Sequence, residues 1–301
     1  MENLQKSMGA TDTAAAPERV LVILHIYYEK YADYYLSRLG NISGCEWDLT
    51  VTGNSLSEET RQKVLSVKPD ARFIETANLG YDVWPFICAI KQTDLGKYSF
   101  VIKLHTKNQD GVFTPVNGLW MKGKEWRAEL VDVLLGSPKK FNALKELFRI
   151  REDVGMAYSM SVDRTLGFRT AEDTELLDAE MERLGLEAGP NHFCAGTMFA
   201  VRASALGWLQ DGRITEDRFQ TTGSSHGQGT LAHAYERLLC IAVVLQGYSI
   251  ALLKNNLAKY VYLKAKKTLQ PTLEWLFSIN YREHPHCKTL RICGFDFKLS
   301  E

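Results

Sequence analysis

The chain has 301 residues, 45% of them hydrophobic and 24% charged, which is the composition of a globular protein with a sizeable core. Thirty-six basic residues balance 36 acidic ones, so no overall field favours nucleic acid, and any affinity for anions must be local. No apolar run reaches the roughly 18 residues of a membrane span. The first 17 residues lack the apolar core of a signal peptide, so we expect a cytoplasmic protein with a disordered lead-in over 1–17.

The cysteines and histidines give no strong metal signature. Six cysteines, at 45, 88, 194, 240, 287 and 293, form no Cys-x-x-Cys pair. Several lie in apolar runs such as "PFICAI" and "RLLCIAVV", which favours buried free thiols over a disulfide framework. The segment "HPHC" (284–287) offers three metal ligands in four residues, but no second cluster lies near it in sequence. A zinc site, or a metal-dependent hydrolase built on it, is therefore a secondary hypothesis.

The N-terminal half alternates strand patterns with helix patterns. Four apolar or β-branched runs predict strands, and a helix pattern follows each of the first three; the strands are 19–28, 47–54, 71–78 and 98–104. This alternation predicts parallel βαβ units with right-handed crossovers. An open sheet of this kind binds ligands at the carboxyl ends of its strands. The segments expected to converge there are His25–Tyr28, Thr52–Asn54, Asn78–Asp82 and His105–Lys107.

The second half adds further helices and two strands. Helix patterns cover 120–138, 137–153 and 229–248, and strand patterns cover 154–160 and 192–202. The polar, acidic stretch 161–191 is predicted to pass over the crevice. We therefore predict one α/β domain over 18–250, with a mostly parallel Rossmann-type sheet flanked by helices. A helical extension over 251–301 is expected to pack on the same domain.

The strand that ends in "FVIKLHTK" (100–107) carries cations at its carboxyl end. Side chains alternate between the two faces of a strand, so Lys103, His105 and Lys107 share one face. Such a cluster suits an anionic ligand in the crevice. The alternative is a solvated loop with ordinary surface charges.

Several segments together resemble a known family. They are "NLGYDVWPF" (78–86), "FVIKLHTK" (100–107), "EWR" with "LLGS" (125–137), "CAGTMFAVRASAL" (194–206), "AHAYERLL" (232–239) and "TLRICGFDF" (289–297). In this order the chain resembles the GT-A type of nucleotide-sugar glycosyltransferase, and within it the rhamnan synthesis F family of bacterial surface-polysaccharide enzymes. The resemblance implies a GT-A-like fold and a nucleotide-sugar donor.

One position departs from the wider superfamily. Related enzymes carry Asp-x-Asp at the end of this strand, and its two carboxylates hold a divalent ion that neutralises the leaving diphosphate. Here His105 and Lys107 stand in those positions. A departing nucleoside diphosphate needs fixed positive charge, which His105 with Lys103 or Lys107 can supply. We therefore expect these side chains to bind the diphosphate directly, without a divalent metal.

The resemblance places the catalytic base on the helix "AHAYERLLCIAVVLQGY" (232–248). Inverting enzymes of this type carry an acidic residue near the start of such a helix, and it deprotonates the acceptor hydroxyl. Glu236 stands eleven residues before Gly247, and His233 lies on the same helix face at i, i+3. Either is a candidate base, with the other orienting it or binding the acceptor. The alternative is a surface pair of Glu236 with Arg237.

Further candidates flank these segments. Asp82 follows the "NLG" of Asn78 and Gly80 at a strand's carboxyl end, and Asn78 and Gly80 are counted with the donor-binding residues. Asp82 is expected to contact the nucleotide or donor sugar, or to be the base if Glu236 is not. The alternative is that it N-caps the next helix. Arg127 and Arg202 are predicted diphosphate partners, with surface salt bridges as the alternative.

The resemblance implies transfer of a sugar, L-rhamnose from a dTDP-linked donor, to a growing surface polysaccharide such as lipopolysaccharide, by one inverting displacement. The acceptor is a glycan or a lipid-linked glycan. Five lysines and two tyrosines over 251–273 suit peripheral contact with the inner face of the cytoplasmic membrane, and a solvated surface is the alternative. The rival function is a non-catalytic glycan- or nucleotide-binding module that kept the fold.

Overall fold

The computed structural model describes residues 19–107, 113–116, 119–165, 171–187, 189, 192–222, 229–255, 258, 261, 265, 277–283 and 286–299. The chain divides into two compact units, Met1–Leu253 and Lys254–Glu301. The predicted lead-in over 1–17 lies outside the described residues. The two units are described one at a time below.

The first unit alternates strands with helices. Its strands are β1 (Arg19–Ile26), β2 (Glu46–Gly53), β3 (Arg72–Glu75), β4 (Phe100–His105), β5 (Phe113–Val116), β6 (Leu119–Lys122), β7 (Val154–Ser159), β8 (Asp163–Thr165), β9 (His192–Cys194), β10 (Phe199–Arg202) and β11 (Ser249–Leu253). Its α-helices are α1 (Ala32–Leu39), α2 (Glu58–Val67), α3 (Val83–Lys91), α4 (Gly123–Leu135), α5 (Pro138–Ile150), α6 (Ala171–Leu184) and α7 (Leu231–Leu245).

A seven-stranded sheet in the order β11-β7-β10-β4-β1-β2-β3 forms the centre of this unit. β1 pairs in parallel with β2 and β4, and β2 pairs in parallel with β3. β10 alone runs antiparallel, between β4 and β7. β1 and β4 are buried along almost their whole length, as their unbroken apolar runs predict for inner strands of a parallel sheet. The mostly parallel sheet flanked by helices confirms the predicted fold class.

Two helices of this unit border the carboxyl ends of the inner strands. α3 contacts β1, β2 and α7, and it is buried on nearly every side, which explains its apolar sequence "VWPFICAIK". α7 packs against α6 and β9 and is buried over most of its length. The N-terminal ends of both helices supply side chains to the site described below.

Two predicted elements differ from the structure. The predicted strand 192–202 is two strands, β9 and β10, because Gly196 has φ +89° and Thr197 has φ +46°, and neither angle is compatible with a strand. The predicted polar excursion 161–191 contains β8 and α6, and α6 packs on α7.

The second unit contains a three-stranded antiparallel sheet that the sequence analysis did not predict. Its strands are β12 (Phe277–Glu283), β13 (His286–Ile292) and β14 (Phe295–Leu299), in that order. Residues 258, 261 and 265 are helical. β11 continues to Leu253 because it pairs with β7, so the predicted boundary after residue 250 falls inside a strand. The packing of this extension on the first unit stays a prediction.

Across the part of the chain that the structure describes, every helix is too short or too polar to span a bilayer.

Candidate active site

A cavity of about 530 Å³ opens at the carboxyl ends of β1 and β4. This is the edge at which open parallel sheets bind ligands, and the volume lies in the range of small-molecule sites. The lining residues are His25, Tyr27, Tyr28, Tyr81, Asp82, Val83, His105, Thr106, Lys107, Trp126, Arg164, Asp173, Phe193, Ala195, Gly196, Thr197, Thr222, Ala232, His233, Glu236 and Arg237.

Half of the predicted site residues meet in this cavity. Asp82, His105, Lys107, His233 and Glu236 all line it, although they come from three distant segments of the sequence. The strand ends and the start of α7 therefore converge as the sequence predicts.

The ends of β1 and β4 place two histidines side by side. His25 and His105 are direct neighbours in the parallel pairing of these strands. Just beyond them the hydroxyl oxygen of Thr106 accepts hydrogen bonds from the backbone N–H groups of Tyr27 and Tyr28, at 2.9 and 2.8 Å. Thr106 thereby fixes the path of the chain as it leaves β1 at the cavity edge.

Both histidines are neutral at pH 7. Burial lowers the pKa of His25 to about 4, and it lowers the pKa of His105 well below its ordinary value, although the charge of Asp82 acts in the opposite direction on each. Nδ1 of His25 lies 3.1 Å from the hydroxyl of Thr52. At pH 7 His105 therefore offers a neutral ring nitrogen to the cavity, and its contact with the diphosphate stays a prediction.

The segment before α3 brings Asp82 to the cavity through an unusual backbone path. Gly80 has φ +62°, and a Cβ there would lie 2.7 Å from Phe219 and 2.8 Å from Trp84, so glycine is required. Tyr81 also has a positive φ, 54°, and its N–H donates to the Thr222 hydroxyl at 3.1 Å. Non-glycine residues in this region concentrate at functional sites.

Asp82 occupies the N-cap position of α3 but does not cap it. Its side chain makes no capping hydrogen bond to the helix. Instead it accepts hydrogen bonds from the ammonium group of Lys103 and the hydroxyl of Thr197, and Nδ1 of His105 lies 3.3 Å away. The capping alternative is therefore wrong, because the carboxylate turns toward β4 and the turn after β9.

This network keeps Asp82 ionised. Burial by itself raises the pKa of a carboxyl group, but the positive charge of Lys103 and the hydrogen bonds that Lys103 and Thr197 donate outweigh burial. The pKa of Asp82 consequently lies well below its ordinary value. Since His105 is neutral at pH 7, Lys103 supplies the positive charge that balances this carboxylate.

Glu236 lies on α7, one turn and a half from its start, and a backbone amide orients it. Its Oε1 accepts a hydrogen bond from the N–H of Gly196 at 2.7 Å. Arg237 does not pair with it: that guanidinium donates to the carbonyl of His233 at 2.6 Å and to Asp173 at 3.3 Å. The predicted alternative of a Glu236–Arg237 surface pair is therefore wrong.

His233 stands one turn before Glu236. Its Nδ1 lies 2.8 Å from the hydroxyl of Thr230, and its ring lies 5.6 Å from that of Tyr81. Burial lowers the pKa of His233, although the charges of Glu236 and Asp173 oppose this. A neutral imidazole at pH 7 is able to accept a proton or bind a hydroxyl group.

Three cationic side chains line the cavity: Lys107, Arg164 and Arg237. The ammonium group of Lys107 lies 4.0 Å from the centre of the Trp126 ring, a cation–π contact. Burial lowers the pKa values of both Lys107 and Arg164, and the charge of Glu236 acts to raise both. The cavity thus holds fixed positive groups close enough to Glu236 to feel its charge.

The other predicted donor-binding residues do not line the cavity. Asn78 and Gly80 make a backbone scaffold: the carbonyl of Asn78 accepts from the N–H of Thr222, and the N–H of Gly80 donates to Gln220. Lys103 is interior, with 1% of its surface exposed, and all its contacts are within the protein.

The two predicted arginines also lie elsewhere. The Arg127 guanidinium stacks on the ring of Tyr34 at 3.9 Å. Arg202 lies where β4 begins, opposite Phe100, and donates to three backbone carbonyls. It was assigned to the cavity on residue type alone, and the antiparallel direction of β10 carries it to the other end of the sheet.

Sequence reasoning missed Arg164 and Thr197. Arg164 lies in β8, within the stretch taken for a polar excursion, so no periodic pattern marked it. Thr197 belongs to the quoted "CAGT", where a glycine inside a strand pattern was a signal for a turn. Residues 284 and 285 of the predicted "HPHC" metal segment lie outside the described residues.

Solved structures that resemble this chain at low sequence identity include two enzymes in complex with a nucleotide sugar or a nucleotide. The mannosyltransferase PcManGT from Pyrobaculum calidifontis, in complex with GDP-Man and Mn²⁺, is 14% identical; the match covers 89% of this chain and 68% of that chain, with a TM-score of 0.42. Glucosyl-3-phosphoglycerate synthase from Mycobacterium tuberculosis, in complex with Mn²⁺, uridine diphosphate and glucosyl-3-phosphoglycerate, is 14% identical; the match covers 95% and 89%, with a TM-score of 0.32.

The prediction that no divalent metal takes part finds no support in these two complexes, both of which contain Mn²⁺. It considered only the two positions at the end of β4. An ion shared with a diphosphate takes most ligands from phosphate oxygens and water and needs one or two protein carboxylates. Among the described residues no cluster of three or more His, Cys, Asp or Glu could hold a metal ion, but the ionised Asp82 fits such a shared ion.

Comparison with curated sequences and family models identifies the family. The uncharacterized protein WxcX of Xanthomonas campestris pv. campestris (strain B100) is 30% identical over 188 residues, which cover 60% of this chain and 25% of that protein. The match thus spans about a quarter of the length of these curated relatives. The model of rhamnan synthesis protein F matches residues 3–248, most of the chain. The chain therefore belongs to the rhamnan synthesis protein F family, as its motifs predicted.

Proposed function

We propose that the chain is a GT-A-type glycosyltransferase that moves a sugar from a nucleotide donor to a bacterial surface polysaccharide. The observation that carries this proposal is the setting of Glu236, a carboxylate oriented by the Gly196 amide in the same cavity as the cations Lys107 and Arg164. A base for the acceptor and positive charge for the leaving group are the two requirements of the reaction. Membership of a rhamnan synthesis family supports the substrate class.

The proposed reaction is a single displacement. Glu236 removes the proton of an acceptor hydroxyl as the oxygen of that hydroxyl attacks the anomeric carbon of the donor sugar. The bond from this carbon to the diphosphate oxygen breaks, and its electron pair leaves with the nucleoside diphosphate. Because attack and departure occur on opposite faces, the configuration at the anomeric carbon inverts.

The remaining cavity residues have distinct proposed roles. Lys107 and Arg164 stabilise the charge that develops on the diphosphate. A divalent ion, when bound, adds positive charge there, and Asp82 is the carboxylate that would hold it. Asp82 is a weaker base than an ordinary carboxylate, because Lys103 and Thr197 hold its pKa well below the usual value of an aspartate. His233, neutral and one turn from Glu236, is proposed to bind the acceptor hydroxyl and is the second candidate for the base.

The proposed donor is dTDP-L-rhamnose, and the proposed acceptor is a glycan or lipid-linked glycan in a pathway such as lipopolysaccharide synthesis. The family description, rhamnan synthesis protein F, supports this choice of sugar.

Peripheral contact with an anionic membrane belongs to the same proposal. Residues 254–301 contain nine lysines and arginines against four acidic residues, a local excess of positive charge in a chain that is neutral overall. Lysines 259, 264, 266 and 267 lie outside the described residues. We expect the full chain to sediment with vesicles that contain phosphatidylglycerol and to remain in solution with phosphatidylcholine vesicles. Equal partitioning between the two would contradict this part of the proposal.

A donor panel tests the proposed function. Purified protein is incubated with dTDP-L-rhamnose, GDP-mannose or UDP-N-acetylglucosamine, with and without Mn²⁺, and both the melting temperature and the release of nucleoside diphosphate are measured. We expect one donor to raise the melting temperature and to be turned over. A donor that binds without any release in the presence of surface glycan would instead identify a non-catalytic binding module.

A further inference from the structure

A lysine in the protein interior joins three parts of the candidate active site. The ammonium group of Lys103, on β4, donates to the carboxylate of Asp82 at the start of α3. It also donates to the carbonyl and to the hydroxyl oxygen of Thr197, each at 3.0 Å. The Thr197 hydroxyl in turn donates to the same Asp82 oxygen. A strand, a helix start and the turn after β9 therefore meet at one cation.

The contacts of Lys103 within the protein engage all three hydrogen-bond donors of its ammonium group, so none is left for a ligand. An ammonium group has three donors, and here three acceptors within the protein engage it. With 1% of its surface exposed, its charge is retained in the interior only because it is paired and hydrogen-bonded. Lys103 therefore acts on the site only through its neighbours.

The turn that Lys103 holds is strained and carries the contact to Glu236. Gly196 and Thr197 both have positive φ, and a β-branched residue such as Thr197 adopts that region at an energetic cost. Such a conformation persists only where its surroundings fix it. The adjacent N–H of Gly196 donates to Oε1 of Glu236 at 2.7 Å, so the position of this turn sets the position of the carboxylate.

We propose that Lys103 is a positioning residue: by clamping Asp82 to the Gly196–Thr197 turn, it holds the Gly196 amide against Glu236. The kinetic part of this inference rests on the proposed function of Glu236 as the base, whereas the structural part does not. Lys103 thus serves the reaction without contacting donor or acceptor.

Two variants test the clamp from its two sides. K103M removes the ammonium group at nearly constant length, and T197V removes the hydroxyl while keeping the side-chain shape and the strain at φ. T76V is the matched control, because Thr76 is also a buried threonine, its hydroxyl has no hydrogen-bond partner among the described residues, and it does not line the cavity. T197V matters because K103M leaves Asp82 without its cation and lowers stability as well.

The first readout is steady-state transfer with dTDP-L-rhamnose at a temperature where each variant is folded. We expect kcat to fall at least tenfold in K103M and in T197V with the KM for donor within about threefold of wild type, because a displaced base costs rate and not binding. T76V should match the wild type. Values of kcat within twofold of wild type in both clamp variants would overturn the proposal.

The second readout separates this inference from the proposed function. Hydrogen exchange of the Gly196 amide is measured in all four proteins without ligand. We expect exchange to accelerate at least tenfold in K103M and T197V, and not in T76V, whether or not the protein turns over this donor. Unchanged protection of Gly196 in both variants would show that the clamp does not hold the turn.

Discussion

Both ends of the central sheet carry cationic side chains, but the surroundings of these side chains differ between the two ends. At the end where β4 begins, the guanidinium of Arg202 donates hydrogen bonds of 3.0–3.1 Å to the backbone carbonyls of Phe148, Arg151 and Val154. Each of these bonds joins one local segment to another. The charge at this end is used for stability.

At the carboxyl end the cations line a cavity. Lys107 lies over the ring of Trp126, and Arg164 shares the cavity with it. Two residues beside them, Tyr81 and Thr197, have positive φ, and strain of this kind is absent from the described residues of β10 around Arg202. A lysine or arginine in the sequence therefore does not by itself indicate a ligand site. The direction of its strand and the presence of a cavity determine whether it is able to contact a ligand.

The largest expected effect is at the carboxyl end. E236Q should lower kcat by about 10³-fold, because the amide cannot accept the acceptor proton, while donor affinity stays within about threefold. Steady-state transfer and donor titration measure the two quantities. E46Q, a matched change at an exposed glutamate where β2 begins, should leave both unchanged. Near-normal turnover of E236Q would move the role of base to His233.

The next largest effect is expected when Lys107, one of the cations that line the cavity, is replaced. K107M should reduce kcat/KM about 10²-fold, because the variant loses one positive charge that stabilises the leaving diphosphate. K68M is the control at the other end of the sheet, because Lys68 also lies over an indole ring, that of Trp47 at 5.1 Å, but does not line the cavity of the candidate site. If K68M and K107M had equal effects on kcat/KM, the contrast between the two ends would fail.

Arg202 should show the opposite pattern. R202M leaves three backbone carbonyls without their charged donor, and we expect a loss of about 2–3 kcal/mol in the free energy of unfolding. The kcat/KM of the folded variant should equal that of the wild type. Denaturant titration gives the first value and kinetics below the unfolding transition gives the second. A catalytic defect in a fully folded R202M would restore it as a diphosphate ligand.

The smallest effect concerns the buried histidines. The pKa of His25 is about 4 in the folded chain, below the ordinary value of 6.5, so the unfolded chain binds more protons at pH 5. Stability is therefore complete above pH 6.5 and falls as the pH drops toward 4. Between pH 7 and pH 5 we expect His25 to account for a loss of about 2 kcal/mol.

Denaturant titrations at the two pH values check this, with H25Q as the comparison. H25Q should lose less stability than the wild type over the same interval, and His105 and His233, whose pKa values are lowered in the same direction, contribute to the remainder. An identical pH dependence in the two proteins would show that His25 is not buried in its neutral form.

Much of the fold and part of the site can be predicted from the sequence. The spacing of apolar residues and the alternation of strand and helix patterns predict the parallel strands. The carboxyl ends of those strands then place His105 and Lys107 at the cavity. Glu236 is found through the motif on α7. The sequence pattern predicts the strand or helix that carries each of these residues, and it also predicts the end at which the residue lies.

The remaining residues depend on contacts between distant segments. Lys103 looks like a ligand in sequence, and only the meeting of β4 with Asp82 and the turn at Thr197 makes it an interior clamp. Arg202 depends on one antiparallel strand in a mostly parallel sheet, which no local pattern reveals. Arg164 lies in a short strand whose pairing with β9 is set by the fold.

The central claim, that the donor binds at the carboxyl end of the sheet, is tested most directly by hydrogen exchange with and without saturating dTDP-L-rhamnose and Mn²⁺. We predict slower exchange in residues 25–28, 105–107 and 195–197 and at the start of α7, with no change around Arg202 and Phe148. Protection confined to the opposite end of the sheet, or absent from all four carboxyl-end segments while the donor is shown to bind, would contradict the account.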